Sequence, residues 1–238
     1  MKHGLLGLLV LGLPVSAQIP ADSHQLVVVV TPDWKAPQGT LYTFESGEQG
    51  WRQRGSAFAV VVGKNGLGWG RGLLAVPATG PKKVEGDGRA PAGVFSLGMA
   101  FGYTPQPTGG TGLAYRQSTA QDRCVDDSSS PFYNQIVPLQ APIAWTSAEE
   151  MVRTDNLYRL LVVVNHNTNP PVPQGGSCIF MHIWRAADQP TVGCTAMAEA
   201  NLTGLVNWLK TPKNPILVQL PVSEYRALKA SLGLPKLP

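Results

Sequence analysis

The sequence predicts a predominantly β domain with a few short helices, on two observations. Short runs rich in β-branched and aromatic residues recur along the chain, each bounded by Gly, Pro, Ser or Asn. Helical spacing is confined to a few short places, and 26 Gly and 21 Pro with only 14% charged residues describe a turn-rich globular protein, neither a coiled coil nor a disordered tail.

In chain order, the first feature is "MKHGLLGLLVLGLPVSAQ". Lys2, the apolar run Gly4 to Val15 and the small residues Val15 and Ala17 read as a secretory signal peptide over residues 1–17. The run is shorter than the roughly 20 apolar residues of a spanning helix, and none like it follows. The expectation is a soluble, exported chain with no integral membrane segment once the signal is cleaved. Residues 18–238 are long enough to bury one core and are read as a single domain. Without Lys2 that domain carries 18 Lys and Arg against 15 Asp and Glu, a net charge of +3. The charge is too diffuse for nucleic acid and compatible with an anionic envelope surface.

Strands are predicted at "QLVVVVT" (Gln25 to Thr31), "TLYTFES" (Thr40 to Ser46), "AFAVVVG" (Ala57 to Gly63), "YRLLVVV" (Tyr158 to Val164), "SCIFMHIW" (Ser177 to Trp184) and "PILVQLP" (Pro215 to Pro221). The Gly- and Pro-rich stretches Gly66 to Thr119 and Cys124 to Ile143 read as loops wrapping them. Ser147 with Glu150 forms a capping-box signature, and Ser223 is placed to cap a terminal helix. The strongest helix starts near Met197, with Leu202, Leu205, Val206 and Leu209 at helical spacing and Pro212 just beyond its end.

There are three cysteines: Cys124, Cys178 and Cys194. In an oxidising compartment an odd number leaves one thiol over. If Cys124 pairs with Cys178, the closed loop stabilises the fold by roughly 4 kcal/mol on the chain-entropy model. Cys194 is then free. The lesser alternative is that Cys178 is a small buried hydrophobe of an apolar strand.

Cys194 follows His182 by twelve residues in "FMHIWRAADQPTVGCTAM". Set between a strand and a helix N-terminus, its thiol would have a lowered pKa and would label quickly with alkylating agents. Gly193 and Thr195 would offer backbone N–H groups to an oxyanion, and His182 would serve as general base and then acid. A zinc site using His166, Cys178, His182 and Cys194 is the competing reading. It is disfavoured because residues four apart on one strand lie about 13 Å from each other.

These residues carry a resemblance. "HIW...TVGCTAM" resembles the histidine and Gly-Cys motif of the L,D-transpeptidase (YkuD-type) catalytic domain family, and "GDGRAPAGVFSLG" (Gly86 to Gly98) resembles its upstream turn-and-strand element. The resemblance implies a single L,D-transpeptidase-like mixed β-sheet catalytic domain in the periplasm or cell envelope, acting on peptidoglycan stem peptides. It also implies a thioester on Cys194, no cofactor and no metal. Ala196 departs from the pattern by standing where an arginine is common. Trp184, Arg185 and His166 are the candidate substrate contacts, Arg185 as the replacement for that arginine, and a monomer is expected. A sortase-like cysteine peptidase and a non-catalytic envelope-binding domain are the alternatives.

Overall fold

The structure is a computed structural model that describes residues 19–238; the segment read as a signal peptide lies outside the described residues. The first half contains β1 (Gln25–Thr31), β2 (Gln38–Gly47), β3 (Gly50–Gln53), β4 (Phe58–Val61), β5 (Leu67–Trp69), β6 (Ala90–Gly102) and β7 (Tyr115–Gln117). There follow β8 (Asp122–Val125), β9 (Ile136–Pro138), β10 (Ala148–Glu150), β11 (Leu160–Val164), β12 (Phe180–Ile183) and β13 (Thr195–Met197). Helix α1 (Glu199–Trp208), β14 (Ile216–Pro221) and α2 (Val222–Leu232) complete the chain. The protein is mostly β, as its residue pattern predicts.

One mixed sheet runs β1-β14-β6-β11-β12-β13-β4-β2, and β2 pairs again with β1, so these strands form a closed circuit. Pairing is parallel for β1 with β14 and for β12 with β13, and antiparallel elsewhere in the circuit. The run of four valines in β1 follows from its position. The strand belongs to the main core and is also covered by α2, so Val27, Val28 and Val29 are all fully buried. Such a strand reads as continuously apolar instead of alternating.

Alternation returns at β12 and there separates two cores. Met181 and Ile183 join the large cluster with Val60, Val164 and Met197. Phe180 faces the other way, into a smaller cluster with Phe101, Cys124, Met151, Tyr158, Leu161, Cys178 and Cys194. A separate three-stranded antiparallel sheet, ordered β10-β8-β9, lies beside this second cluster. The Cys124–Cys178 disulfide joins β8 of that sheet to the segment that leads into β12. Cys194 is the free cysteine.

The structure differs from the sequence expectation in four places. The stretch Gly66 to Thr119, read as loop, contains β6, the longest strand of the fold, and Cys124 to Ile143 contains part of β8 and all of β9. The glycines of β6 are there for close approach: a Cβ at Gly98 would come within 2.9 Å of the Asn165 side chain, and one at Gly102 within 2.8 Å of the Arg159 carbonyl. Ser147 and Glu150 do not cap a helix. Residues 148–150 pair with β8, Glu149 standing opposite Cys124, so strand pairing overrides the local signature. Ser223 lies inside α2, which begins after Pro221. Helix α1 forms as the spacing predicts, with Leu202, Leu205 and Val206 buried.

Among the described residues no helix is long and apolar enough to cross a membrane.

Candidate active site

The parallel register of β12 and β13 aligns Met181 with Thr195, His182 with Ala196 and Ile183 with Met197. Side chains alternate along a strand, so Cys194, one residue before Thr195, shares the face of Ala196 and therefore of His182. The loop between the two strands carries the chain back to start beside the same end of β12. That return is why a histidine and a cysteine twelve residues apart become diagonal neighbours, their backbones about 8 Å apart.

The polar groups around the pair are fixed by backbone. His182 Nδ1–H donates to the carbonyl of Ile183 at 2.8 Å, which leaves Nε2 as the acceptor nitrogen. The Cys194 thiol donates to the Cys178 carbonyl at 3.5 Å and Sγ accepts from the Phe180 N–H at 3.3 Å. Burial pushes the thiol up to about 12, helped by the negative Glu149 nearby and opposed by the Phe180 N–H. Burial also takes His182 down to about 4. At neutral pH the pair is thiol and neutral imidazole.

This corrects the expectation of a helix-activated thiolate. Helix α1 begins only at Glu199, and Cys194 leads into β13 because Thr195–Met197 pairs with β12 and, at Ala196, with β4. The thiol is buried in the second core and is not set at a helix end. Slow labelling at pH 7 that accelerates as pH rises is the expected outcome with iodoacetamide. Fast labelling at neutral pH would contradict this picture of the resting site.

Of the two backbone N–H groups assigned to an oxyanion site, that of Gly193 already has a partner. The Gly193 N–H donates to Thr191 Oγ1 at 3.1 Å, and that hydroxyl donates to the Cys194 carbonyl at 2.7 Å. The Thr195 side chain points into the main core and donates to Gln219 Oε1 at 2.7 Å, while Gln219 Nε2 donates to the Pro91 carbonyl. This buried chain ties β13, β14 and β6 together behind the cysteine.

Cys194 stands where two clefts meet. The first, of about 200 Å³, is lined by Glu149, Arg153, Tyr158, His182, Trp184, Arg185, Cys194 and Ala196 among others. The second, of about 190 Å³, is lined by Lys64, Lys83, Glu85, Asp126, Glu149, Ser177, Gly193 and Cys194 among others. Trp184 and Arg185 are thus brought to the pair. His166 is not: it is 1% exposed, accepts from the Arg71 N–H, bonds the Gly175 carbonyl and packs edge-on to Phe95. Its role is structural, and Cys178 is engaged in the disulfide, so the zinc set is not assembled.

The family model for the YkuD L,D-transpeptidase catalytic domain matches residues 25–219. The chain belongs to this family. Two solved structures are similar to this L,D-transpeptidase-family chain. The helical cell shape determining protein Pgp2 from Campylobacter jejuni is 15% identical with a TM-score of 0.37, over 84% of this chain and 49% of that one. A point mutant of Pgp2 is 14% identical with a TM-score of 0.37, over 87% and 50%. The chain spans about half the length of both. No curated protein matches it.

Beyond the family motif, the candidate site holds residues that no sequence motif singles out. The Tyr158 ring stands edge-on to His182 at 5.1 Å and to Phe180 at 5.5 Å, and its hydroxyl donates to Glu149 Oε2 at 2.6 Å. The Arg153 guanidinium lies 5.0 Å from the centre of the Tyr158 ring and makes two bonds to Asp155, which Arg185 also contacts at 3.1 Å. Nothing local marks Glu149, Arg153 or Tyr158, because the disulfide and the β8–β10 pairing that gather them are long-range. Burial raises the Glu149 carboxyl, while the Tyr158 hydroxyl pulls it the other way.

The two buried histidines set an acid limit on stability. His166 and His182 are each taken down to about 4 by burial, against 6.5 for the free side chain. Between those values the unfolded chain binds protons that the folded chain does not, so stability is lost as pH falls from about 6.5 to about 4. The loss is on the order of 3 kcal/mol per histidine. Urea midpoints measured from pH 7 to pH 4 should fall steeply over this window, and a flat profile would count against both burial assignments.

Proposed function

We propose that the protein is an exported cysteine acyltransferase that acts on peptidoglycan stem peptides. The observation that carries this reading is the β12–β13 register, which puts His182 and Cys194 on one face beside a cleft in a member of the L,D-transpeptidase family. Cys194 attacks the carbonyl between the third residue of a stem tetrapeptide and its terminal D-Ala. His182 takes the thiol proton at Nε2 as the C–S bond forms and returns it to the departing D-Ala amine. An amine or water then takes the acyl group from sulfur. Because the resting pair is neutral, proton transfer and attack occur together, and the thiol is not left ionised in an oxidising compartment.

Arg153 and Arg185, on the first cleft, supply positive charge for a stem carboxylate in place of the arginine that Ala196 replaces. Their shared contact with Asp155 holds both side chains at the rim. Residues 1–17 support export.

A strained β-lactam acyl donor tests the reading directly. Meropenem should add one covalent mass to the mature protein, on the peptide that contains Cys194, with Cys194→Ala as the control. No adduct after long incubation, while iodoacetamide still reaches the thiol at alkaline pH, would favour a cysteine peptidase built for other substrates.

A further inference from the structure

Glu149 is the one carboxylate that lines both clefts meeting at Cys194. Its Oε2 accepts from Tyr158, whereas Oε1 has no hydrogen-bond donor among the described residues. The position of this side chain is imposed from two directions. Glu149 is paired across β10 and β8 with Cys124, and Cys124 is joined covalently to Cys178. The Cys178 carbonyl in turn accepts from the Cys194 thiol. A short path of strand pairing, disulfide and hydrogen bond therefore fixes a carboxylate beside the nucleophile.

The second cleft carries an excess of negative charge. Of its two lysines, Lys83 is already paired with Asp87 at 2.7 Å, outside the cleft lining. Three acids, Glu85, Asp126 and Glu149, remain. Glu85 Oε2 is occupied by donors from Tyr133 and Ser177. Asp126 Oδ1, by contrast, is shielded from solvent and has no partner among the described residues. Carboxylate oxygens that lack donors beside a nucleophile are complementary to an ammonium group.

We propose that the second cleft receives the ammonium group of the acyl acceptor and that Glu149 is the base that deprotonates it. This inference rests on the thioester reading above and assigns its second half. The acceptor arrives as R–NH3⁺, which is not a nucleophile. Glu149 removes one proton, and the freed nitrogen pair attacks the thioester carbonyl, forming a C–N bond. The tetrahedral intermediate collapses with cleavage of the C–S bond, and the electron pair goes to Sγ. The nitrogen's remaining excess proton passes through His182 to Sγ. The products are an amide, the Cys194 thiol and protonated Glu149, which returns its proton to water. Burial raises the Glu149 carboxyl and so makes it a better base than an exposed one.

The test uses the mature chain, a stem tetrapeptide as donor and the side-chain amine of a second stem as acceptor, with mass spectrometry reading the ratio of amide to hydrolysed product. Glu149→Gln keeps an acceptor oxygen for Tyr158 but cannot take a proton, and should lower that ratio about a hundredfold. Asp126→Asn should raise the acceptor concentration needed for half-maximal transfer. Hydroxylamine, which is uncharged at neutral pH, needs no deprotonation and should still intercept the thioester in Glu149→Gln. An unchanged ratio in Glu149→Gln overturns the inference and leaves the thioester reading standing, as does a wild type that only hydrolyses at every amine concentration. Absence of any thioester from folded Glu149→Gln, when the wild type forms one, places Glu149 in the first half-reaction and also overturns it. Absence of a thioester from the wild type removes the underlying reading.

Discussion

Cys194→Ala should abolish release of D-Ala from tetrapeptide stems while the protein keeps its fold. In the proposed reaction Sγ forms the acyl bond, and no other free thiol is present to substitute, since Cys124 and Cys178 are bonded to each other. The fold should survive because alanine keeps the Cβ. What is lost is one sulfur's packing in the second core and its two weak hydrogen bonds. Loss of turnover with an unchanged melting profile is the expected pair of results. Residual D-Ala release above the uncatalysed level would sink the nucleophile assignment.

His182→Gln should lower turnover by about 10²–10⁴ through loss of acid–base catalysis. The neutral resting state makes the histidine more important than in a preformed ion pair. With the thiol pushed up to about 12, thiolate is scarce at pH 7, and attack depends on a base that takes the proton in the same step. Two further readings separate a catalytic from a structural role. The activity of the wild type should fall as pH drops through about 4, where His182 gains a proton and ceases to be a base, and the glutamine variant should lose that limb. Activity should also partly recover in the variant at high pH, where hydroxide generates thiolate unaided. A variant with wild-type rates at pH 7 would return His182 to the core as a packing residue.

What could be read from the sequence depended on whether a signal was local. The strands of the circuit with β-branched runs, β1, β2, β4, β11, β12 and β14, were legible because their apolar runs are contiguous and end in breakers. β6 was legible only through the motif resemblance at Gly86 to Gly98, because its glycines and proline are loop-like by composition; their purpose appears only when Asn165 and Arg159 are seen pressing against the strand. That His182 and Cys194 belong to one site was suggested by the family motif, and the β12–β13 register places them on one face. Activation of the thiol by a helix was not legible, because three residues, Thr195 to Met197, form a strand where the spacing predicts a helix start. Glu149 lies inside the Ser147–Glu150 stretch whose spacing signals a helix cap, and nothing in that spacing singles it out. Only the pairing with Cys124 turns it toward the site, and such a contact leaves no trace in the spacing of neighbours.

The circuit has its seam at β1. That strand is bonded on one side to β2, which follows it almost at once, and on the other to β14, which comes nearly the whole domain later. A chain that emerges N-terminus first during synthesis can form the β1–β2 hairpin early. It then presents the other side of β1 as an open edge until residues 216–221 emerge. Gln219, which anchors Thr195 behind the cysteine, arrives with that same closing strand. The order of synthesis therefore withholds a finished site until the ring shuts. A domain assembled in this way folds slowly for its size and is vulnerable to aggregation and proteolysis until then. The candidate site and the protection of the open edge are completed in one event.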